Sequence, residues 1–342
     1  MEKAFFELSK GKVIELYNQL KEMDLKITYS LKTNPEVGKI LEKETDSFFS
    51  VHTVEGLEDV KSFERVWLIA QAWNQDEIKS LIDKGITKFI VDNSADLNIL
   101  KEFLKKNNAR IDLLLRMKLK ENTIFTGKYF VFGMNAKTVN EQIKELRKNK
   151  NIEKLGVHFH RKTQNVSEWN LVRELNDALS QETFQQIDLI NIGGGLPVKY
   201  KNTSDKVLES IFEKINELKN FLNEKNIELW LEPGRFLAAQ SVKLKTKIIS
   251  IYDNNVIVNC SIYNTAMDSM LVSIRLLVEQ EKEKGKDYTI KGSTPCSLDI
   301  FRYNVKLENP KIGEEITFLN AGAYNFSSDF CNLKKLETRI VE

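Results

Sequence analysis

The stretch KITYSLKTNPE, residues 26–36, carries an apolar, β-branched run that stops at Asn34-Pro35. β-Branched and aromatic side chains suit a pleated strand, and a residue before proline is pushed out of the helical region. A strand therefore ends here and a helix starts after the proline. Lys32 stands at that boundary. A lysine that ends a strand is ordinarily a solvated surface charge. What else the fold brings to the same rim decides how this one is read.

The same handover recurs along the chain. After KITYSL (26–31), strands are predicted at FFSV (48–51), VWLIA (66–70), KFIVD (88–92), IDLLLRM (111–117), LGVHFH (155–160), DLINIG (188–193) and ELWLEP (228–233). Helical spacing fills the gaps: Leu57, Val60 and Phe63; Leu97, Leu100 and Leu104; Leu208, Ile211, Ile215 and Leu218. Near-continuous apolar strands separated by helices predict a parallel sheet covered by helices. Eight such units suit a (β/α)8 barrel, which takes roughly 250 residues. An open doubly wound sheet is the rival, but no GxGxxG follows the first strand, so a dinucleotide fold loses support.

After Arg235 the texture changes. SVKLKTKIISIYDNNVIVNCSIY (241–263) alternates with a period near two around Asp253-Asn254-Asn255, which predicts a β-hairpin. YTIKG (288–292), RYNVKL (302–307) and EEITFLNAG (314–322) predict further short strands. The expected architecture is α/β: a TIM-like (β/α)8 barrel over residues 1–236, then a C-terminal antiparallel β domain over 237–342. No Gly/Ser linker separates them, so they should pack closely.

The 51 basic and 49 acidic residues leave a formal net charge of +2, which offers no footprint for nucleic acid or an anionic membrane. Lysine-rich stretches such as EQEKEKGK are mixed with acids and read as solvated faces. Cys260, Cys296 and Cys331 form no CxxC pair, so neither a disulfide framework nor a metal site is expected, and a cytoplasmic setting fits. No leader and no membrane-spanning run is read from the sequence.

In a barrel of this kind the chemistry sits at the C-terminal ends of the strands. Lys32 ends the first strand, His158 and His160 the sixth, Gly193-Gly194-Gly195 the seventh, and Glu232-Pro233-Gly234-Arg235 the eighth. Each has a plain reading: a tight turn for the glycines, a loop cap for Glu232, a packed histidine for His160. Together they describe a pocket for an anionic cofactor. Backbone N–H groups of glycine can cradle a phosphate, a lysine can hold an aldehyde, a flat side chain can stack on a ring, and an acid can keep a pyridine nitrogen protonated. Pyridoxal phosphate needs that set.

In that order the motifs resemble those of the fold-type III pyridoxal-phosphate decarboxylases, the ornithine, diaminopimelate and arginine decarboxylase group, with its alanine racemase-like fold. YSLKTNPE resembles the cofactor-lysine segment, GVHFHRKTQ the Gly-x-His-x-His strand, NIGGGLP the phosphate loop and LEPGRFL the Glu-Pro-Gly-Arg. STPCSLDIF resembles the cysteine loop and NAGAYNFSSDF the Gly-Ala-Tyr element. The resemblance implies that Lys32 carries the cofactor's Schiff base, His160 stacks on the ring and Glu232 meets the pyridine nitrogen. It implies that Gly193, Gly194, Gly195, Gly234, Arg235 and Tyr324 hold the phosphate, with Thr163 where the family usually has serine. Cys296 would reach across a homodimer interface and protonate the substrate carbon once CO2 has left, while Cys260 and Cys331 read as packing residues.

The departures bear on substrate. Ser297 follows the loop cysteine where ornithine decarboxylases have an acid, the next acid being Asp299, and Cys260 aligns with the family's other acid for a distal amine. Arg275 loosely resembles the arginine with which diaminopimelate decarboxylases meet a carboxylate. Phe49 stands where the family has Asp, Lys162 replaces a glycine, and the N-terminal strand that usually joins the β domain is expected to be short or absent. The implied activity is removal of the α-carboxylate from a basic or dicarboxylic amino acid, with Asp299, Arg275 and Ser297 as candidate substrate residues. A racemase or aldolase on the same scaffold, or a non-catalytic cofactor-binding protein, are the alternatives.

Overall fold

The computed structural model describes residues 2–69, 71–119, 132–325 and 328–342. The predicted strand end at Ala70 and residues 326–327 of the NAGAYNFSSDF stretch lie outside them. Strand β1 (Phe5–Ser9) comes first, followed by β2 (Lys26–Ser30), β3 (Phe48–Val51), β4 (Val66–Leu68), β5 (Lys88–Val91), β6 (Ile111–Arg116), β7 (Ile152–His158), β8 (Leu189–Asn191) and β9 (Glu228–Leu231). From β2 to β9 each strand pairs in parallel with the next, and β9 closes on β2 with Lys26 opposite Trp230. The eight predicted strands are all present, and their closure removes the open-sheet rival.

Phe48, Trp67, Ile90, Leu114, Leu189 and Trp230, each from a different barrel strand, pack together as a cluster apart from the rest of the core. Trp230 meets Phe48 and Trp67 edge-on, at ring-centroid distances of 4.7 and 5.7 Å. These rings fill the lumen, so the barrel is a solid support for its rim rather than a pore. Outside, the helix Ser94–Lys106 buries Leu97, Leu100 and Leu104, and the helix Leu208–Asn223 buries Ile211, Ile215 and Leu218, as their spacing predicts.

Leu57, Val60 and Phe63 do not share one helix. They fall on two 3-10 turns, Glu55–Asp59 and Phe63–Arg65, with Val60 extended at φ −132° between them. Glu42 accepts the backbone N–H groups of Lys61 and Ser62 at 2.8 and 2.7 Å, and Arg65 donates to the carbonyls of Glu42 and Thr45. Those tertiary bonds outcompete the helical ones.

The remaining strands are β10 (Val242–Tyr252), β11 (Asn255–Val258), β12 (Leu277–Val278), β13 (Lys286–Lys291), β14 (Ile300–Leu307), β15 (Glu315–Leu319) and β16 (Glu337–Val341). The predicted hairpin is β10–β11, turning through Asp253 at φ +49°. The sheet is mixed rather than antiparallel throughout, because β11 pairs with β13 in parallel and β1 pairs with β16 in parallel. Against expectation, the N-terminal strand is present. β1 lies between β10 and β16, and its alternation buries Phe6 and Leu8 while Glu7 faces outward. Residues 5–9 therefore lie with the second sheet and not with the barrel that follows them in sequence. No described helix is long and apolar enough to cross a membrane.

Candidate active site

The strand exits meet around a cavity of about 620 Å³ at the C-terminal rim of the barrel. Lys32, His160, Thr163, Gly194, Gly195, Glu232, Gly234, Arg235 and Tyr324 all line it. The strand-end reading of Lys32, His160, Gly194, Gly195, Glu232, Gly234 and Arg235 and the resemblance that added Thr163 and Tyr324 converge on one cavity, which joins residues up to 292 positions apart, Lys32 and Tyr324.

Lys32 sits in a 3-10 turn, Leu31–Thr33, immediately before the helix Pro35–Glu44. Asn34 is extended at φ −165°, as a residue before proline should be, and its side chain caps that helix through the N–H of Glu36. Its amide also donates to Gly322 O at 2.9 Å, and the N–H of Tyr324 donates to Thr33 O at 2.9 Å. Both structural units therefore clamp the turn that aims Lys32. The lysine reaches into the cavity with no hydrogen bond or ion pair to a described residue. Desolvation lowers its pKa and Arg116 adds to the effect, against the pull of Glu232. More of the amine is uncharged, and so nucleophilic, than a surface lysine would offer.

Glu232 is 7% exposed. His158 Nε2 lies 3.2 Å from its Oε2, and Asn191 donates to the same oxygen at 3.4 Å. Burial works against the charge, but the His158 hydrogen bond and the neighbouring imidazoles hold the carboxyl down at about 2. A fixed, ionised carboxylate at the cavity floor can keep a heterocyclic nitrogen protonated. His160 takes a different place: its Nδ1 accepts the N–H of Gly194 at 3.2 Å, which fixes the ring's orientation. The ring is exposed on the cavity side, but the protein packed around it desolvates the charged form and pushes its pKa down to about 4, so the ring is uncharged, as a stacking partner for a flat ligand should be.

The glycines are held to their identity by space. A Cβ at Gly195, whose φ is +107°, would meet Lys162 O at 2.6 Å, and one at Gly234 would run into Thr33 Oγ1. Both glycines line the cavity, so their loops present backbone to it where a phosphate could be received. Gly193 differs: its N–H donates to Asn191 Oδ1, its carbonyl accepts Glu232 N–H, and it does not line the cavity. It ties the seventh strand exit to the eighth. Gly195→Ala is expected to leave the fold intact and weaken cofactor binding roughly tenfold, from backbone strain of order 1–3 kcal/mol. Titrating the apoprotein with pyridoxal phosphate measures it.

Arg235 is almost wholly committed. Nε donates to Thr163 Oγ1 at 3.3 Å, NH1 to Tyr200 and to Asp268 at 3.0 and 2.5 Å, and NH2 to Asp268 at 3.2 Å. Four of the roughly five donors a guanidinium has are used, and Tyr324 lies under its face at 5.2 Å. Tyr200 and Asp268 were invisible to the sequence reading, although Asp268 stands seven residues before Arg275. Asp268→Ala would strand a buried guanidinium and is expected to cost about 3–5 kcal/mol of stability in denaturant unfolding. His52 is the third residue the sequence reading passed over. It lines the cavity just past β3, where a search of every strand exit would have found it.

Four expected residues lie elsewhere. Cys296 is not on this chain's cavity wall; its Sγ lies 2.7 Å from the Tyr263 hydroxyl, whose ring stacks on Phe330. That hydrogen bond lowers the thiol's pKa and raises the phenol's to about 12, so the thiol is the stronger acid of the pair. Asp299 is fully buried, and its oxygens accept from Ile262 N–H and from the N–H and hydroxyl of Thr294. Its commitments make it the anchor of the cysteine loop instead of a receptor for a substrate amine. Ser297 is exposed beside it, and Arg275 is exposed and off the cavity, its backbone bound to Lys201 and Asn202. Cys260 is buried, as a packing residue should be, whereas Cys331 is exposed. Phe49 is buried under Arg65, and Arg116 pairs with Asp92 at 2.8 Å. No metal-binding group of three or more His, Cys, Asp or Glu occurs among the described residues.

The residues therefore fit pyridoxal phosphate: an amine of lowered pKa with no partner among the described residues, a fixed carboxylate, an uncharged ring and glycine backbone on the cavity wall. The description "Pyridoxal-dependent decarboxylase, pyridoxal binding domain" matches residues 11–239. The diaminopimelate decarboxylase of Aquifex aeolicus is 25% identical over 282 residues, covering 77% of this chain and 66% of its own length. The Archaeoglobus fulgidus enzyme of the same name is 24% identical over 72% of this chain, and the match covers 64% of its length. The chain thus spans a little under two thirds of these relatives. A probable ornithine decarboxylase of Dictyostelium discoideum is 22% identical over 95% of this chain and 76% of its own length. Among solved structures, a lysine decarboxylase from Selenomonas ruminantium superposes with TM-score 0.84 at 21% identity, covering 100% of this chain and 93% of its own. A lysine/ornithine decarboxylase from Vibrio vulnificus gives 0.83 at 21% identity, covering 99% and 94%. At these identities the superpositions show a shared fold.

Proposed function

The chain belongs to the pyridoxal-dependent decarboxylases, and from that premise we propose that it removes the α-carboxylate of an amino acid. The observation that carries the reading is the single cavity lined by Lys32, His160, Glu232, Gly194, Gly195, Gly234 and Tyr324. Pyridoxal phosphate, when bound, supplies a protonated ring that withdraws the electron pair left behind by CO2.

The chain's own residues do the rest. Lys32 holds the cofactor's aldehyde and gives way to the substrate amine. Glu232, ionised and pinned by His158 and Asn191, keeps the proton on the pyridine nitrogen. His160 packs against the ring, and the N–H groups of Gly195 and Gly234 receive the phosphate, that of Gly194 being spent on His160 Nδ1. Arg235 has about one donor left for it, so its main part is to hold Thr163 and Tyr200 in the wall. Cys296 returns a proton to the α-carbon, brought to the pocket by a second copy of the chain. Exposed Leu298 and Phe330 flank that loop, apolar surface of the kind an interface covers.

The names of the relatives suggest the substrate range: diaminopimelate, ornithine, lysine and arginine. The test is mass spectrometry after incubating the cofactor-loaded protein with meso-diaminopimelate, L-ornithine, L-lysine and L-arginine. Loss of CO2 from one of them supports the reading. A racemised product without loss of mass, or binding without turnover, overturns it.

A further inference from the structure

His52 stands beside Lys32 with an unusual lack of company. β2 and β3 pair in parallel with Ser30 opposite Ser50, and Lys32 and His52 each lie two residues further on. Lys32 follows in the 3-10 turn after β2 and His52 directly after β3, so they leave neighbouring strands, and both line the cavity. The two ring nitrogens of His52 differ. Nδ1 is shut away from solvent without a hydrogen-bond partner, and no described residue bonds the side chain at all.

A buried orphan N–H is rarer than an under-satisfied acceptor. The proton of the uncharged ring therefore belongs on Nε2, at the edge turned to the cavity. Burial pushes the imidazole down to about 3, with Lys32, His158 and Arg116 also opposing its charge and Glu232 favouring it. At working pH the ring is a neutral donor.

We propose that His52 is a substrate-binding residue whose Nε2–H donates to the α-carboxylate of the amino acid. The inference rests on the decarboxylase reading above. The substrate nitrogen that takes the place of Lys32 is bonded to the α-carbon, and the carboxylate is the next group on that carbon. A donor on the adjoining strand exit, lining the same cavity as Lys32, is placed to meet that group. Arg116 also lines the wall, with its Nη1 paired to Asp92 Oδ1 at 2.8 Å. A neutral donor also suits the reaction. Binding that is strong in the ground state and lost in the transition state slows the chemistry, and a cation would hold the departing charge most firmly.

The product amine lacks the α-carboxylate, so substrate and product report on this contact separately. The experiment uses the cofactor-loaded protein and the pairs L-ornithine and putrescine, L-lysine and cadaverine, and L-arginine and agmatine; for meso-diaminopimelate, whose product L-lysine keeps a carboxylate, KM alone is read. Amine binding is read from the cofactor absorbance, without turnover. In His52→Leu, KM for the amino acid should rise roughly tenfold while kcat does not fall. Product affinity and the dissociation constant of pyridoxal phosphate should stay within about twofold of the parent, as they would for a residue that touches neither. In His52→Gln, whose amide nitrogen falls near the position of Nε2, KM should return most of the way. Unchanged KM in His52→Leu overturns the proposal, as does an equal loss of product affinity or a weakened cofactor. If the parent protein decarboxylates none of the four amino acids, the decarboxylase reading fails and this inference falls with it.

Discussion

Lys32→Ala protein is expected to bind pyridoxal phosphate without the long-wavelength absorbance the cofactor shows when joined to a lysine, and to lose turnover by roughly 10⁴-fold or more. Lys32 has the properties such a bond requires. It is aimed by a turn that both structural units clamp, it carries no partner among the described residues, and desolvation lowers its pKa. No other lysine among the described residues lines the cavity. The substitution should cost little stability, because the ammonium forms no ion pair and its removal leaves no buried charge stranded. Ultraviolet–visible spectra of the variant, and its mass after borohydride treatment, provide the measurement. A surviving band, or a reduced adduct on another lysine, would overturn the assignment.

Cys296→Ala is expected to keep the cofactor spectrum and to slow clean amine formation by about 10² to 10⁴, the usual worth of a positioned acid. The thiol is prepared for such a task by the Tyr263 hydroxyl 2.7 Å away and by the loop that Asp299 anchors. Because Cys296 is off the cavity of its own chain, the proposal also predicts complementation. Lys32→Ala and Cys296→Ala subunits, each inactive alone, should recover about a quarter of the parent activity when reassorted, since a two-fold dimer of the two has one intact site. No recovery would place the proton donor elsewhere. Unchanged turnover in Cys296→Ala would refute its part altogether.

Much of the site was legible because a barrel turns position along the chain into position in space. Once eight strands are recognised, every strand exit shares one rim, and Lys32, His160 and Glu232 follow from their places at strand ends. Gly195 and Gly234 were legible for a related reason: a backbone that must pass within van der Waals distance of Lys162 or Thr33 tolerates no side chain. Asp268 had no such signal. Its meaning lies wholly in facing Arg235, 33 residues away, and an acid on a short surface-like helix looks the same in sequence whatever it faces. Asp299 shows the converse error. An acid near the loop cysteine reads as a receptor for an amine, yet its oxygens are consumed by Ile262 and Thr294.

The order of apolar runs by itself determined the eight strand–helix units, because burial on both faces of a sheet demands such runs, and the period-two stretch determined the hairpin of the second unit; closure into a barrel was decided by the pairing of β9 with β2. The tertiary structure alone decided that Phe5–Ser9 joins the second sheet, since a five-residue alternation fits any open edge and only the edges of β10 and β16 say which. It decided equally that Arg235 is spoken for, that Arg275 lies off the cavity and that His52 stands unpartnered beside Lys32. Those are facts of pairwise distance. A sequence records which groups are present, and a hydrogen bond depends on which of them come within about 3 Å of one another.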